Sequence, residues 1–230
     1  MKFIRFAIVL FFGITLVNCG GDDDGSPQPN PNPENPPVTA TYTATLTTVF
    51  TEEDFPQDYP DDASFGTIVV ITHAPEIDIF STGQMASAGL EAYIESGDVE
   101  TFRSFISDQV GEQNEGLFVL STDGTVEAAA SKTIDLTVTP ERTRITILAN
   151  LSPSPDWFIG LDSFDIVDGN ALITDETVSL NLLDGGTSTG DTYNASGTDE
   201  NATISVLTGA PISDGPFSPE IASIRIQRTD

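Results

Sequence analysis

The stretch TRITILANLSPSPDWFIGLDSF, Thr143 to Phe164, carries two signals in immediate succession. In its first half Ile145, Ile147 and Ala149 fall on alternate positions, which is the period of a β-strand. In its second half Pro153 and Pro155 hold the chain extended and end that strand, because proline fixes φ and biases the preceding residue away from helix. Asp156 follows directly, then Trp157 (the only tryptophan), Phe158, Ile159, Gly160 and a second acid, Asp162. A carboxylate held at a strand mouth beside a large aromatic is either a turn cap or a cation ligand, and the residues leave both open.

Working outward, the strand period recurs. Thr41 to Thr51 alternates Tyr42, Ala44 and Leu46 with threonines, and Thr67 to Thr72 (TIVVIT) is a continuous apolar run suited to a buried strand. Leu117–Ser121, Thr125–Ala130, Ile134–Val138, Val178–Leu183, Ala202–Leu207 and Glu220–Gln227 read as further strands. The helical part lies between Ala86 and Gly111. Leu90, Tyr93 and Ile94 recur at helical intervals before Gly97, and Val99, Phe102, Ile106 and Val110 form a second stripe that Asp98 can cap. The expected fold is therefore mainly β: an antiparallel β-sandwich of about eight strands with two short helices at an edge or corner.

The ends of the chain add an export route. Residues 1–18 begin with Lys2 and Arg5, continue through an apolar run from Phe6 to Val17 and stop before Cys19, the pattern of a signal peptide. The ending LVNC resembles a bacterial lipoprotein cleavage site, which makes Cys19 the expected lipidation site. Residues 19–38 are acidic and proline-rich, an extended tether, and residues 39–230 form the folded domain. Asp22 to Asp24 reads equally as a surface-export signal or a solvated spacer. The expected location is the outer membrane or cell surface, with periplasmic retention or secretion as alternatives. Cys19 is the only cysteine, so no internal disulfide can form.

Composition excludes several partners. Removing residues 1–18 takes away two basic residues and no acid, leaving six against 36, a net charge near −30. Nucleic acid is excluded by repulsion, and contact with a membrane is expected only through the lipid on Cys19. There is no GxSxG elbow, zinc spacing, P-loop or dinucleotide fingerprint, and a lone His73 has no partner pattern, so it reads as a structural strand end. Ser131 and Lys132 are adjacent rather than at helical spacing, which reads as surface. Two acidic clusters remain: Asp156 with Asp162 and Asp165, and the loop LLDGGTSTGDTY, where Asp184 ends a strand among glycines. Calcium takes six to eight hard oxygens from such loops; the alternative is an Asp156 turn cap and an Asp184 Asx-turn.

SPSPDWFIGLDSFD, LLDGGTSTG and the earlier FSTGQMASAGLEAYIESGD together resemble the spondin N-terminal domain of the F-spondin and mindin type, a correspondence that runs in chain order over most of residues 41–229. The resemblance implies a β-sandwich with one calcium ion near its loops, adhesive roles and no enzymatic activity. Its metal ligands carry over to Asp156 and Asp184; the third falls on Ser188 where the family has an acid. The fourth falls on Thr137, with Asp135 and Glu141 close by, so that Asp135 is taken as the nearest carboxylate. Asp191 or a serine hydroxyl is the replacement for the missing acid at Ser188. The reading is a lipid-anchored, calcium-holding binding module with a protein or glycan partner. A carboxylate-based hydrolase and a purely structural envelope lipoprotein are its rivals.

Overall fold

The computed structural model describes residues 39–110, 117–122 and 124–230, all within the compact unit Pro33–Asp230. The signal peptide, Cys19 and the tether lie outside the described residues. In chain order the elements are β1 (Ala40–Thr48), β2 (Ser64–Phe65), β3 (Val69–His73), α1 (Ala88–Ser96), α2 (Val99–Val110), β4 (Leu117–Ser121) and β5 (Val126–Glu127). They continue with β6 (Ser131–Val138), β7 (Arg144–Ser152), β8 (Trp157–Asp165), β9 (Val167–Asp168), β10 (Ala171–Leu172), β11 (Asp175–Asp184), β12 (Ser205–Val206) and β13 (Glu220–Arg228).

The main path of the sheet runs β4-β3-β7-β8-β11-β13-β1-β6, with every pairing antiparallel. Short β12 adds to β11, and β2 bridges β5 and β7. The path folds over so that Tyr42, Ala44 and Leu46 of β1, Leu136 of β6, Ile145 and Ile147 of β7 and Ile159 of β8 share one core. The mainly β sandwich with two short helices is thus what the alternating runs lead one to expect.

A second core lies outside the sheet, under the helices. Val69, Ile71, Leu148, Phe158 and Leu183 meet Leu90, Tyr93, Ile94, Phe102 and Ile106 there. Each fully buried side chain of this size contributes roughly 1.5–3 kcal/mol. Local chemistry sets the helix ends. The Ser87 side chain accepts from the Leu90 N–H at 3.2 Å, Gly97 closes α1 at φ 71°, and Asp98 accepts from the Thr101 N–H at 3.0 Å at the start of α2. The helices touch closely because Gly89 has no side chain: a Cβ there would lie 2.5 Å from Phe105 Cβ. Tyr93 stacks on Phe102 and donates its hydroxyl to the Thr67 carbonyl at 2.7 Å, tying α1 to the sheet.

Three sequence expectations change. Strand β7 is buried continuously from Ile145 to Leu151, not on alternate positions, because helices cover its outer face. The apolar segment after the prolines is itself a central strand, β8, between β7 and β11. In it Gly160 makes room for Phe80, whose ring would lie 2.7 Å from a Cβ. Of Thr125–Ala130 and Ala202–Leu207 only two residues each are strand.

Candidate metal centre at the mouth of β8 and β11

Strands β8 and β11 pair so that Trp157 lies opposite Asp184, which sets Asp156 and Asp184 side by side at one end of the sandwich. The loop after β11 then turns back over Asp156. Asp184 Oδ1 accepts from the Gly186 N–H at 2.8 Å, an Asx-turn that starts the bend. Gly185 donates to the Asp156 carbonyl at 3.2 Å and packs so closely that a Cβ would lie 2.2 Å from Ile94 Cδ1. Gly186 sits at φ 68°, a conformation that favours glycine, with the Ala202 carbonyl 2.6 Å from where a Cβ would be.

The result of this bend is a set of donors aimed at one oxygen. Asp156 Oδ2 accepts from the N–H groups of Thr187 at 2.8 Å and Ser188 at 3.0 Å, and from the Thr187 hydroxyl at 3.3 Å. Its other oxygen, Oδ1, is buried without a partner. The residue is fully buried, and that desolvation pushes its pKa up to about 6; the Asp184 charge adds to the rise, against the Thr187 and Ser188 hydrogen bonds. Behind it Trp157 is fully buried and meets Tyr193 edge to face at 5.3 Å, a packing role.

The other expected residues are placed as follows. Ser188 joins the site through its backbone, while its Oγ lies against Gly197. Asp135 is exposed on the edge strand β6, opposite Thr43 of β1, and on the sheet path β13 and β1 lie between β6 and β11, with β11 as a third strand between β6 and β8. Thr137 is exposed on the same strand, and Glu141 sits in the turn before β7. That turn and Asp156 lie at opposite ends of the nine-residue β7, about 25 Å apart by strand rise. Asp191 is exposed in the loop after β11. The cluster of Asp156 with Asp162 and Asp165 is split: Asp165 pairs with Arg144 at 3.1 Å at the far end of β8, and Asp162 takes hydroxyls from Ser163 and Ser81. The residues that sequence reasoning missed are Thr187 and its backbone N–H, for which the glycine pair before it is the available signal.

His73 is buried at the end of β3. The Ser163 N–H donates to Thr146 Oγ1, the Thr146 hydroxyl faces His73 Nε2 at 2.9 Å, and Nδ1 faces the Ala74 carbonyl at 3.0 Å. A carbonyl can only accept, so Nδ1 carries a proton, and burial, which lowers the pKa of the ring, favours its neutral form.

A sequence model of the family described as Spondin_N matches residues 40–214. The chain belongs to the spondin N-terminal family. It is similar to Spondin-2 of Rattus norvegicus, 24% identical over 134 residues, and to Spondin-2 of Homo sapiens, 26% identical over 134 residues. Each match covers 58% of this chain and 40% of the relative, so the chain spans well under half the length of the curated relatives it matches.

The calcium ion that membership of this spondin family implies can be weighed against the residues present. Among the described residues no group of three or more His, Cys, Asp or Glu side chains could hold a metal. A hard cation at this mouth would take the two carboxylates of Asp156 and Asp184 and complete its shell from carbonyl and hydroxyl oxygens. The partnerless Asp156 Oδ1, buried beside a second acid, fits that demand.

Proposed function

We propose that the chain is a spondin-like binding module of the cell envelope, exported by residues 1–18 and held by a lipid on Cys19 through the 19–38 tether. It displays the loops at one end of the sandwich to a protein or glycan partner on the outer membrane or cell surface, and it has no catalytic activity. A calcium ion held by Asp156 and Asp184 would supply positive charge between two carboxylates and so hold the loop after β11 in place.

The single observation that carries the calcium reading is the Asp156 carboxyl: fully buried, one oxygen bound by backbone donors, the other without a partner next to Asp184. An unpaired buried carboxylate is expensive, and a hard cation is the partner its free oxygen lacks. Burial of the same group speaks against the hydrolase rival, since a general acid has to reach its substrate. The test is calorimetric titration of the chelator-treated mature chain with calcium, beside Asp156→Asn and Asp184→Asn. Uptake is expected in the parent alone; a parent that gives neither heat nor a rise in melting temperature overturns the calcium reading. Protease treatment of whole cells checks surface display, and radiolabelled lipid incorporation lost in Cys19→Ala checks the anchor.

A further inference from the structure

The turn after β1 and the segment that leads into β13 enclose a cavity of about 210 Å³. Glu220, the first residue of β13, lies opposite Asn181 near the Asp184 end of β11, so the cavity sits at the same end of the sandwich as the metal centre. Neither Asp156 nor Asp184 lines it.

Its walls are apolar. Phe55, Pro211 and Ile212 are buried at the cavity, and Pro56, Pro219 and Phe217 complete it, the last 58% exposed. Hydrogen bonds fasten the backbone on both sides of that exposed ring. The Ser213 hydroxyl meets the Gly215 and Phe217 carbonyls, each at 2.7 Å, and the Asn181 amide donates to the Ser218 and Pro219 carbonyls at 3.0 and 2.9 Å. The Gln57 amide donates to Asp214, which ties the two segments together. A large ring held out to solvent beside a buried apolar floor is the form of an anchor pocket, which a partner fills with one apolar side chain.

Charge narrows the occupant. Asp54 and Asp214 also line the cavity, and no lysine or arginine does. Asp54 accepts from the Thr51 hydroxyl at 2.8 Å and Asp214 from the Gln57 amide, both neutral donors, and among the described residues neither carboxylate forms an ion pair.

We propose that this cavity docks an extended segment of a partner protein that inserts one apolar side chain and carries an arginine or lysine beside it. The proposal rests on the binding-module reading and names the chemistry of the partner. Grooves walled by aromatic rings receive extended segments, with the apolar side chain supplying affinity and the basic one orientation. An acidic occupant is repelled by Asp54, Asp214 and a chain that carries −28. The same repulsion disfavours a second copy, an anionic lipid surface, and the chain's own residues 26–38, which are rich in proline but hold Glu34 and no base.

The experiment is an NMR titration of the isotope-labelled mature chain at physiological salt, which screens diffuse attraction to the acidic surface. The probes are blocked hexapeptides that carry proline, leucine or phenylalanine followed by arginine, the same peptides with glutamate in place of arginine, and vesicles of neutral phospholipid. Saturable shifts of the Gln57 and Asn181 side-chain amide signals are expected with an arginine peptide, and none with the glutamate peptides or the vesicles. Affinity should fall about tenfold in Phe217→Ala, the loss of one anchor. It should fall roughly threefold to fivefold when Asp54→Asn and Asp214→Asn are combined, because exposed charge pairs are worth less. It should stay unchanged in Asp175→Asn, whose carboxylate lies outside the cavity and meets Arg225. Trp157 fluorescence reports folding; Phe217 and both acids are exposed, and asparagine keeps an oxygen for Thr51 and Gln57. The proposal is overturned if no arginine peptide saturates, if the glutamate peptides bind as well, if Phe217→Ala leaves the affinity as it was, or if vesicles bind in place of the peptides. Calcium uptake and surface display are read on separate samples, so failure of the envelope or calcium reading is distinguishable from failure here.

Discussion

Asp156 and Asp162 lie six residues apart in one segment, one just before β8 and one within it, and burial raises the pKa of both. Their surroundings differ in kind. Asp156 is fully buried and is met by two backbone N–H groups of the loop after β11. Asp162 is partly exposed and is met by the hydroxyls of Ser163 at 2.9 Å and Ser81 at 3.4 Å, the latter shared with Asp78. Hydroxyls rotate to suit either protonation state, whereas backbone N–H groups only donate. The difference teaches that one acid is held by backbone donors in the interior and the other, half-buried, by side-chain hydroxyls, although they look alike in the sequence.

The largest expected effect tests that contrast directly. Asp156→Ala leaves the Thr187 and Ser188 N–H groups buried without an acceptor and should reduce stability by about 3 kcal/mol in urea melts. Asp162→Ala should reduce it by less than about 1 kcal/mol, since its hydroxyl partners can turn to water. Equal losses would break the distinction.

The next effect is a pH dependence. Asp156 has a folded pKa raised to about 6, above its ordinary value, so the fold binds its proton more tightly than the unfolded chain does. That contribution is complete below about pH 4 and is lost as pH rises to about 6. In the chelator-treated chain the loss should be about 2–3 kcal/mol, from roughly two pKa units. Asp156→Asn should remove most of the slope, and saturating calcium should flatten it in the parent, because a bound cation favours the charged form. Denaturant midpoints from pH 4 to 7 measure both.

His73 should show a smaller effect of the opposite sign. Burial first of all lowers its pKa, so its contribution is present above about pH 6.5 and is lost as pH falls through the lower folded value. His73→Gln should remove that acid-side decline, checked by the same midpoints. The smallest effect belongs to Asp135→Asn, exposed on β6: a stability change within about 0.5 kcal/mol and calcium affinity equal to the parent.

Much of the fold was legible because its signals are local. The alternation of Tyr42, Ala44 and Leu46 and of Ile224 and Ile226 marks inward faces, and each of these residues is buried in the main core. Ser87, Gly97 and Asp98 set helix ends within a turn of themselves. Strand β8 was harder to see, because Trp157, Phe158 and Ile159 are all buried and a strand covered on both faces shows no alternation. The candidate site was legible in part. Asp156 and Asp184 were named from the chain alone, yet the expected third and fourth ligands fell on Ser188, which joins the site through its backbone N–H, and on Thr137 with its neighbour Asp135, on the exposed face of an edge strand.

By itself, then, the sequence determined the mainly β character, the two capped helices, the acidic surface and the two aspartates at strand ends, all of which depend on residues within a few positions of one another. Only the tertiary structure decided which acids meet. The pairing of Trp157 with Asp184 brings Asp156 to Asp184 across 28 residues, while nine residues of extended backbone carry Asp165 to the other end of the same strand. Strand register and a glycine bend at φ 68° set these distances, and neither is written in the spacing of the acids along the chain.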